Sequence, residues 1–425
     1  MTEPIAHTIP AIVDLMLKST GNFSSDLFEK EKIDESLNVV NTKQFPTKQE
    51  ENWKHTSLTN LKNENFVLAE KNLQNTTKQT IEGLATLVQS NNGFFSINES
   101  TKQYEIVSFD QLNNDQRETV KNHLITQTIS ASRYFEALGV SYIQHGLMIR
   151  VFKNQDLSIP LTLLHSIQTE KNSWLQPRIL IIVEQGAKCT LFESFEEEMS
   201  NTSVNALNIQ TDVFVNKNAN FEYIRLQKQK SYAVHNLNVV QQEGSSFKQH
   251  TFTLSGVMVR NESYAQVVGE NCYTELNGLY LPKDKQHVDN FTYINHLKPH
   301  CSSRQVFKGI VDDKASAVFL GRVHVAKNSQ KTDAYQNNKN ILLTREASVN
   351  SKPQLEIYAD DVKCSHGSTI GQIDGDAIFY LQSRGISKIE AQKLLLQAYT
   401  LELTDCISND TIKNYLSNEV ENLLK

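Results

Sequence analysis

From about residue 135 to residue 373 the chain carries one short alternating apolar–polar run after another, with no long helical pattern between them. This feature limits the fold most. Residues 146–152, 178–184, 213–226, 233–240, 247–254 and 318–325 read as strands. Leu237-Asn238-Val239 and Val323-His324-Val325 show the period of two that puts alternate side chains on opposite faces of a strand. A doubly wound sheet needs a helix after each strand, and this sequence supplies none there. The region is therefore a mainly β unit.

Its turns repeat loosely. Polar corners with a small residue precede strands at Gln185-Gly186-Ala187, Asn218-Ala219-Asn220, Glu243-Gly244-Ser245, Asp313-Lys314-Ala315 and Glu346-Ala347-Ser348. Small residues suit corners where neighbouring coils of a solenoid stack closely, although the spacing is irregular. The pattern favours a β-helix. A β-sandwich, which also needs many short strands with turn signals, is the structural rival.

Both ends read differently. Residues 1–135 are mainly helical in pattern: Ile9, Ile12, Val13, Met16 and Leu17 fall on one helical face. Phe45-Pro46-Thr47 opens a second element with acidic residues in its first turn. In that element Trp53 reads as an amphipathic anchor packing the arm onto the rest. Polar stretches between residues 62 and 80 read as solvated linkers. After Asp374 the helical period returns, with a capping-box form at Ser387-Lys388-Ile389-Glu390. Behind it Ala391, Leu394, Leu395, Ala398 and Leu401 form an apolar stripe. Terminal helices of this kind either cover a solenoid's open edge or present a surface to a partner. The expected organisation is a helical domain (1–135), a β-helix core (136–373) and a C-terminal helical domain (374–425).

Composition narrows the function. Over 425 residues the net charge is -6, which argues against a general nucleic-acid binder or an anionic membrane surface as partner. No apolar run is long enough to span a bilayer, and residues 1–10 lack the form of a secretory signal. Five scattered cysteines without a Cys-x-x-Cys fit free thiols in a reducing cytoplasm.

The densest chemistry lies in Ala359-Asp360-Asp361-Val362-Lys363-Cys364-Ser365-His366-Gly367-Ser368-Thr369-Ile370-Gly371, between a strand pattern and a helix pattern. In an extended segment Cys364 and His366 share a face, and thiolate with imidazole suits iron–sulfur, zinc or copper centres. Two donors leave such a site incomplete. Further donors in the chain are His287, Asp289, His296, His300, Cys301 and His324, or they come from another subunit. On spacing alone a structural role for the pair comes first, because isolated cysteines are mostly small buried hydrophobes. Asp360 and Asp361 read as turn-forming or solvated. His300-Cys301 does not form a nucleophilic dyad on a strand, since adjacent residues face opposite ways. The chain has no phosphate loop, no His-Glu-x-x-His and no Gly-x-Ser-x-Gly, so it is not a self-sufficient NTPase, zinc protease or serine hydrolase.

Pro353-Gln354-Leu355-Glu356-Ile357-Tyr358-Ala359-Asp360-Asp361-Val362-Lys363-Cys364-Ser365-His366-Gly367, Gly371-Gln372-Ile373-Asp374 and Phe379-Tyr380-Leu381-Gln382-Ser383-Arg384-Gly385-Ile386 closely resemble the SufB/SufD family. These are scaffold subunits of the SUF iron–sulfur cluster assembly system. The likeness extends to Gln330-Lys331-Thr332-Asp333-Ala334-Tyr335-Gln336, Lys308-Gly309, Pro299-His300-Cys301 and, less strongly, Trp53-Lys54. Cys364-Ser365-His366-Gly367 is similar to the SufD form rather than the Cys-Glu-His-Glu form typical of SufB. Ser368 stands where alanine is common and His55 where tyrosine is common, and neither change removes a donor.

The resemblance implies a right-handed parallel β-helix flanked by helical domains, acting as a non-catalytic scaffold. It implies pairing with SufB through the β-helix and binding of the ATPase SufC through the C-terminal helices. A nascent iron–sulfur cluster would form at the interface with SufB, with His366 as ligand and Cys364 beside it. It leaves open whether reduced flavin binds the complex and whether homodimers form when SufB is scarce. A β-helix enzyme acting on polysaccharide and a plain interaction module are the competing classes.

Overall fold

The computed structural model describes residues 24–42, 45–70, 88–95, 97–124, 133–143, 145–169, 171–197 and 204–424, together with Val13, Met16 and Leu84. Ile9, Ile12 and Leu17 of the expected N-terminal face, and residues 71–80 of the polar stretch, lie outside them.

The core is a parallel β-solenoid of two sheets, not a sandwich. Its strands, numbered in chain order, are β1 (His145–Val151), β2 (Leu161–Ile167), β3 (Pro177–Val183), β4 (Lys188–Glu197), β5 (Ala206–Val215) and β6 (Asn220–Gln227). They continue as β7 (Tyr232–Gln241), β8 (Ser246–Thr253), β9 (Met258–Val267), β10 (Tyr273–Tyr280) and β11 (His287–His296). The last five are β12 (Ser302–Val311), β13 (Ser316–Val325), β14 (Asp333–Leu342), β15 (Ser348–Ile357) and β16 (Lys363–Gly371). Odd-numbered strands stack in one sheet and even-numbered strands in the other, each of β3 to β14 paired in parallel with the strands one coil before and after it. Coil length varies from 26 residues, Ala206 to Tyr232, to 32 residues, Ser316 to Ser348. That variation explains the irregular corner spacing.

The stretch 213–226 is two strands, not one. Asn216 to Ala219 turn the chain between β5 and β6. At this corner, coil after coil, one residue adopts a left-handed conformation: Gly186, Asn218, Gly244, Asn271, His300 and Lys331 have φ between 57° and 69°. Glycine and asparagine tolerate that region best. Their amides donate to carbonyls of the next coil, as from Asn218 to Glu243 at 2.9 Å and from His300 to Gln330 at 3.0 Å. The next position points inward and is small: Ala187, Ala219, Ser245, Cys272, Cys301 and Thr332 are all buried.

The N-terminal end of the solenoid is closed by further strands. Tyr104–Ser108 pairs antiparallel with β1, Asn98–Ser100 pairs with Tyr104–Ser108, and Val88–Asn91 pairs with β2. Part of the stretch read as mainly helical is thus β. Helices α1 (Lys30–Thr42), α2 (Asn114–His123) and α3 (Tyr134–Ser141) belong to the same N-terminal region.

Each sheet has one outer face covered. Trp53, Phe45, Tyr134, Phe135 and Leu138 pack with Ala206, Val234 and Met258 on the odd-numbered sheet. Trp53 is buried with its ring 3.9 Å from the Arg260 guanidinium, as an anchor should be. Over the even-numbered sheet lie α5 (Lys388–Thr404) and α6 (Asp410–Leu423), which follow α4 (Gly375–Ser383). Leu396, Leu403, Ile412, Leu416 and Val420 meet Phe192, Ile224, Phe252 and Ile310 there. Lys308 fixes α5 by donating to the Tyr399 carbonyl at 2.7 Å and pairing with Glu402 at 2.6 Å.

The Ser387 hydroxyl caps α5 by accepting from the Glu390 amide at 3.2 Å. The buried face of α5 matches the expected one only in part, however. Ala391, Leu396, Thr400 and Leu403 are buried, Leu396 and Leu403 against the sheet, while Leu394 and Leu401 are 40% and 47% exposed. Replacing Trp53 by alanine should remove the anchor and cost about 3–5 kcal/mol. A lowered urea midpoint checks this, and an unchanged midpoint refutes the anchoring role.

Candidate functional site

A solenoid built by stacking must stop somewhere, and here it stops uncovered. Among the described residues β15 pairs only with β13, and β16 only with β14, so each sheet ends on a strand with one free edge. Unlike every earlier coil, neither strand has a fully buried residue. The Ser368 hydroxyl donates to that of Ser351 at 2.8 Å, tying the two edge strands together. Ile357, Tyr358 and Ile370 are exposed apolar side chains at this end. Open strand edges with apolar neighbours are templates for pairing with another chain.

Cys364 and His366 both lie on β16. Parallel register places Cys364 beside Ala334 and His366 beside Gln336. The thiol is half-buried against Val323, Val325, Ala334, Leu355, Ala359 and Val362. Burial pushes its pKa up, and the Asp333 carboxylate adds to that. It rests as a thiol that a metal must deprotonate to bind. His366 is exposed at the open end of the lumen. Behind it sits Gln336, fully buried, with neither amide atom hydrogen-bonded among the described residues. The sequence pattern does not reveal Gln336 as a neighbour of His366, because only the coil register brings them together.

The other candidate donors go elsewhere. Asp289 pairs with Arg260 and accepts from the Thr56 hydroxyl, and His287 Nε2 lies 2.9 Å from that hydroxyl, all under the N-terminal region. His296 is buried in the lumen with Nε2 2.9 Å from Ser303 Oγ. His300 is an exposed left-handed corner residue, and Cys301 is buried beside Cys272. His324 lies on an outer face, its Nδ1 2.7 Å from Asn295 Oδ1 and its ring 5.4 Å from that of Tyr358. Asp361 forms a corner by pairing with Lys331 and accepting its amide at 2.6 Å. Among the described residues no three His, Cys, Asp or Glu side chains group so as to hold a metal ion. Acidic groups inside the solenoid are also engaged: Glu193 pairs with Arg225 at 2.9 Å and His165 at 2.9 Å.

The relatives of this chain agree with its architecture. Residues 165–399 match the family described as SUF system FeS cluster assembly, SufBD core domain. The iron–sulfur cluster assembly protein SufD of Escherichia coli K12 is 33% identical over 384 residues, 87% of each chain. This chain belongs to the SufBD family of iron–sulfur cluster assembly proteins. A SufBD family protein of Synechocystis is 30% identical over 390 residues, 88% of this chain and 86% of that one. The chloroplastic protein ABCI7 of Arabidopsis thaliana is 33% identical over 253 residues, 58% of this chain and 53% of that one. No helix among the described residues is long and apolar enough to cross a membrane.

One imidazole buried in the lumen should make the fold of this SufBD protein acid-sensitive. Burial holds His296 down to about 4, aided by the nearby charge of His324, so the ring is neutral in the fold. Stability from that group is fully present above its ordinary value of 6.5 and is lost as pH falls from there towards 4. The loss is about 3 kcal/mol, at roughly 1.4 kcal/mol for each unit. Denaturation midpoints across this window should fall less steeply for His296→Gln than for the parent. Parallel profiles contradict the assignment.

Proposed function

We propose that this chain is a non-catalytic scaffold subunit that joins a second SufBD-family scaffold, SufB, through the open end of its solenoid. There it contributes half of the site on which a nascent iron–sulfur cluster is built. The observation that carries the reading is the coincidence of two uncovered edge strands with the Cys364–His366 pair. Each sheet can continue into a partner strand by the same parallel or antiparallel hydrogen bonding that builds the rest. Such a junction buries Ile357, Tyr358 and Ile370 and brings further donors against His366. The exposed imidazole is the ligand, since it stands open to a metal at the end of the lumen. Cys364 stands next to it as a thiol whose deprotonation the incoming metal drives. The cluster is cargo, passed on rather than kept. A second copy of this chain is the competing occupant of the same edges when SufB is scarce.

ATP chemistry belongs, on this reading, to the ATPase SufC. Phe379 and Ile389 are 73% and 78% exposed, and with Leu394 and Leu401 they line α4 and the outward face of α5. An apolar stripe left outside by helices that bury their other face is a docking surface for such a partner.

Two experiments separate these claims. In co-expression with SufB and SufC, His366→Ala should leave the complex assembled but lower its anaerobic iron and sulfide content about tenfold or more. Normal cluster content would remove the ligand role. Deleting the terminal helices would strip the even-numbered sheet, so point variants are the cleaner probe of docking. Phe379→Asp with Ile389→Asp should abolish SufC co-purification and leave SufB pairing intact; retained SufC would sink the docking claim.

A further inference from the structure

Two thiols outside the proposed site face each other. Cys272 and Cys301 occupy the inward corner position of successive coils, immediately before β10 and β12. Those strands pair in register with Tyr273 opposite Ser302, and the Ser302 amide donates to the Cys272 carbonyl at 2.9 Å. The corners are thus direct neighbours. Both sulfurs lie 3.3 Å from one acceptor, the Gly269 carbonyl oxygen. Gly269 lets its backbone lie close to the preceding coil, because a Cβ there would lie 2.0 Å from the Glu243 amide nitrogen. Neighbouring strands run about 4.7–4.9 Å apart, inside the roughly 4.4–6.8 Å between Cα atoms that a disulfide spans.

We propose that Cys272 and Cys301 form a redox-responsive dithiol that a hydroperoxide closes into a disulfide, clasping two successive coils. The Cys272 thiolate attacks one peroxide oxygen, giving a sulfenic acid and hydroxide. The Cys301 thiol then attacks the sulfenic sulfur, the S–S bond forms and water leaves. The two thiols lose two electrons, and hydrogen peroxide is reduced to two waters. The environment sets the order of events. The neighbouring Cys301 and Ser245 side chains hold the Cys272 thiol below the ordinary thiol range against the opposing effect of burial. The neighbouring Cys272 and burial push Cys301 up. Both sulfurs are buried, but each follows an exposed corner residue, Asn271 or His300, so a small oxidant has one residue's depth to cross. Cys189 sits in the apolar core, where burial pushes its thiol up. A reductant such as dithiothreitol reverses the step.

The test uses the reduced full chain, treated with stoichiometric hydrogen peroxide, alkylated and digested with trypsin. Lys283 and Lys285 lie between the two cysteines, so trypsin separates them and a linked pair is unambiguous. The expected product is a Cys272–Cys301 linked peptide, two hydrogens lighter than its parts and lost on reduction. The oxidised protein should also melt at a higher temperature. Alkylation of both thiols, over-oxidation without a link, or pairing with another cysteine overturns the proposal. Cys272→Ser and Cys301→Ser should fold, because Ser245 already holds the same corner one coil earlier. Each should lose both the link and the melting shift, and a shift that persists in either variant also overturns the clasp. Peptide mapping of the parent chain decides the question independently of how the variants behave.

Discussion

The parallel ladder between successive coils is the interaction on which everything else depends. Each strand finds its hydrogen-bonding partners in the coils before and after it, and the left-handed corner residues pass further amide bonds along the same axis. Such a ladder satisfies every interior strand and no terminal one. At the N-terminal end, strands Val88–Asn91 and Tyr104–Ser108 supply the missing partners. At the C-terminal end β15 and β16 have none among the described residues. The construction that makes the core stable therefore also makes one sticky end, and Cys364 and His366 are carried on it.

The two outer faces are used differently. The N-terminal region is bound by a buried ionic and aromatic knot in which Arg260 sits under Trp53 and pairs with Glu262 at 2.6 Å and with Asp289. Charges buried this deeply cost desolvation unless each finds a partner, so the knot specifies one docking geometry. The C-terminal helices bind by apolar contact and leave a second apolar stripe facing outward. In the proposed complex each surface therefore has its own role. The covered faces hold the chain together, the free edges take the partner scaffold, and the outward stripe takes the ATPase.

Much of this is legible in the sequence. Alternation at Leu237-Asn238-Val239 reports half-buried strands, the small corner at Asn218-Ala219-Asn220 favours a solenoid over a sandwich, and the block around Cys364 and His366 carries the family resemblance that implies parallel coils. Other strands are hidden because the lumen is partly polar. Asp333-Ala334-Tyr335-Gln336-Asn337-Asn338 carries no apolar alternation, yet Gln336 and Asn338 are fully buried. Periodicity puts Leu394 and Leu401 in the apolar stripe of their helix, but it does not tell which side a sheet will take. The neighbours His366–Gln336 and Cys272–Cys301 cannot be read from the chain at all. They are set by coil lengths that vary from 26 to 32 residues.

The central claim is that the last coil's free edges are completed by a partner strand. Amide hydrogen exchange over Ser348–Ile357 and Lys363–Gly371 measures this directly, with the chain alone and mixed with SufB. Edge amides that exchange quickly in the isolated chain should become protected in the mixture, while the inner strands Met258–Val267 and Tyr273–Tyr280 stay unchanged. Equal exchange at both edges in a mixture that nonetheless forms a complex would contradict the account.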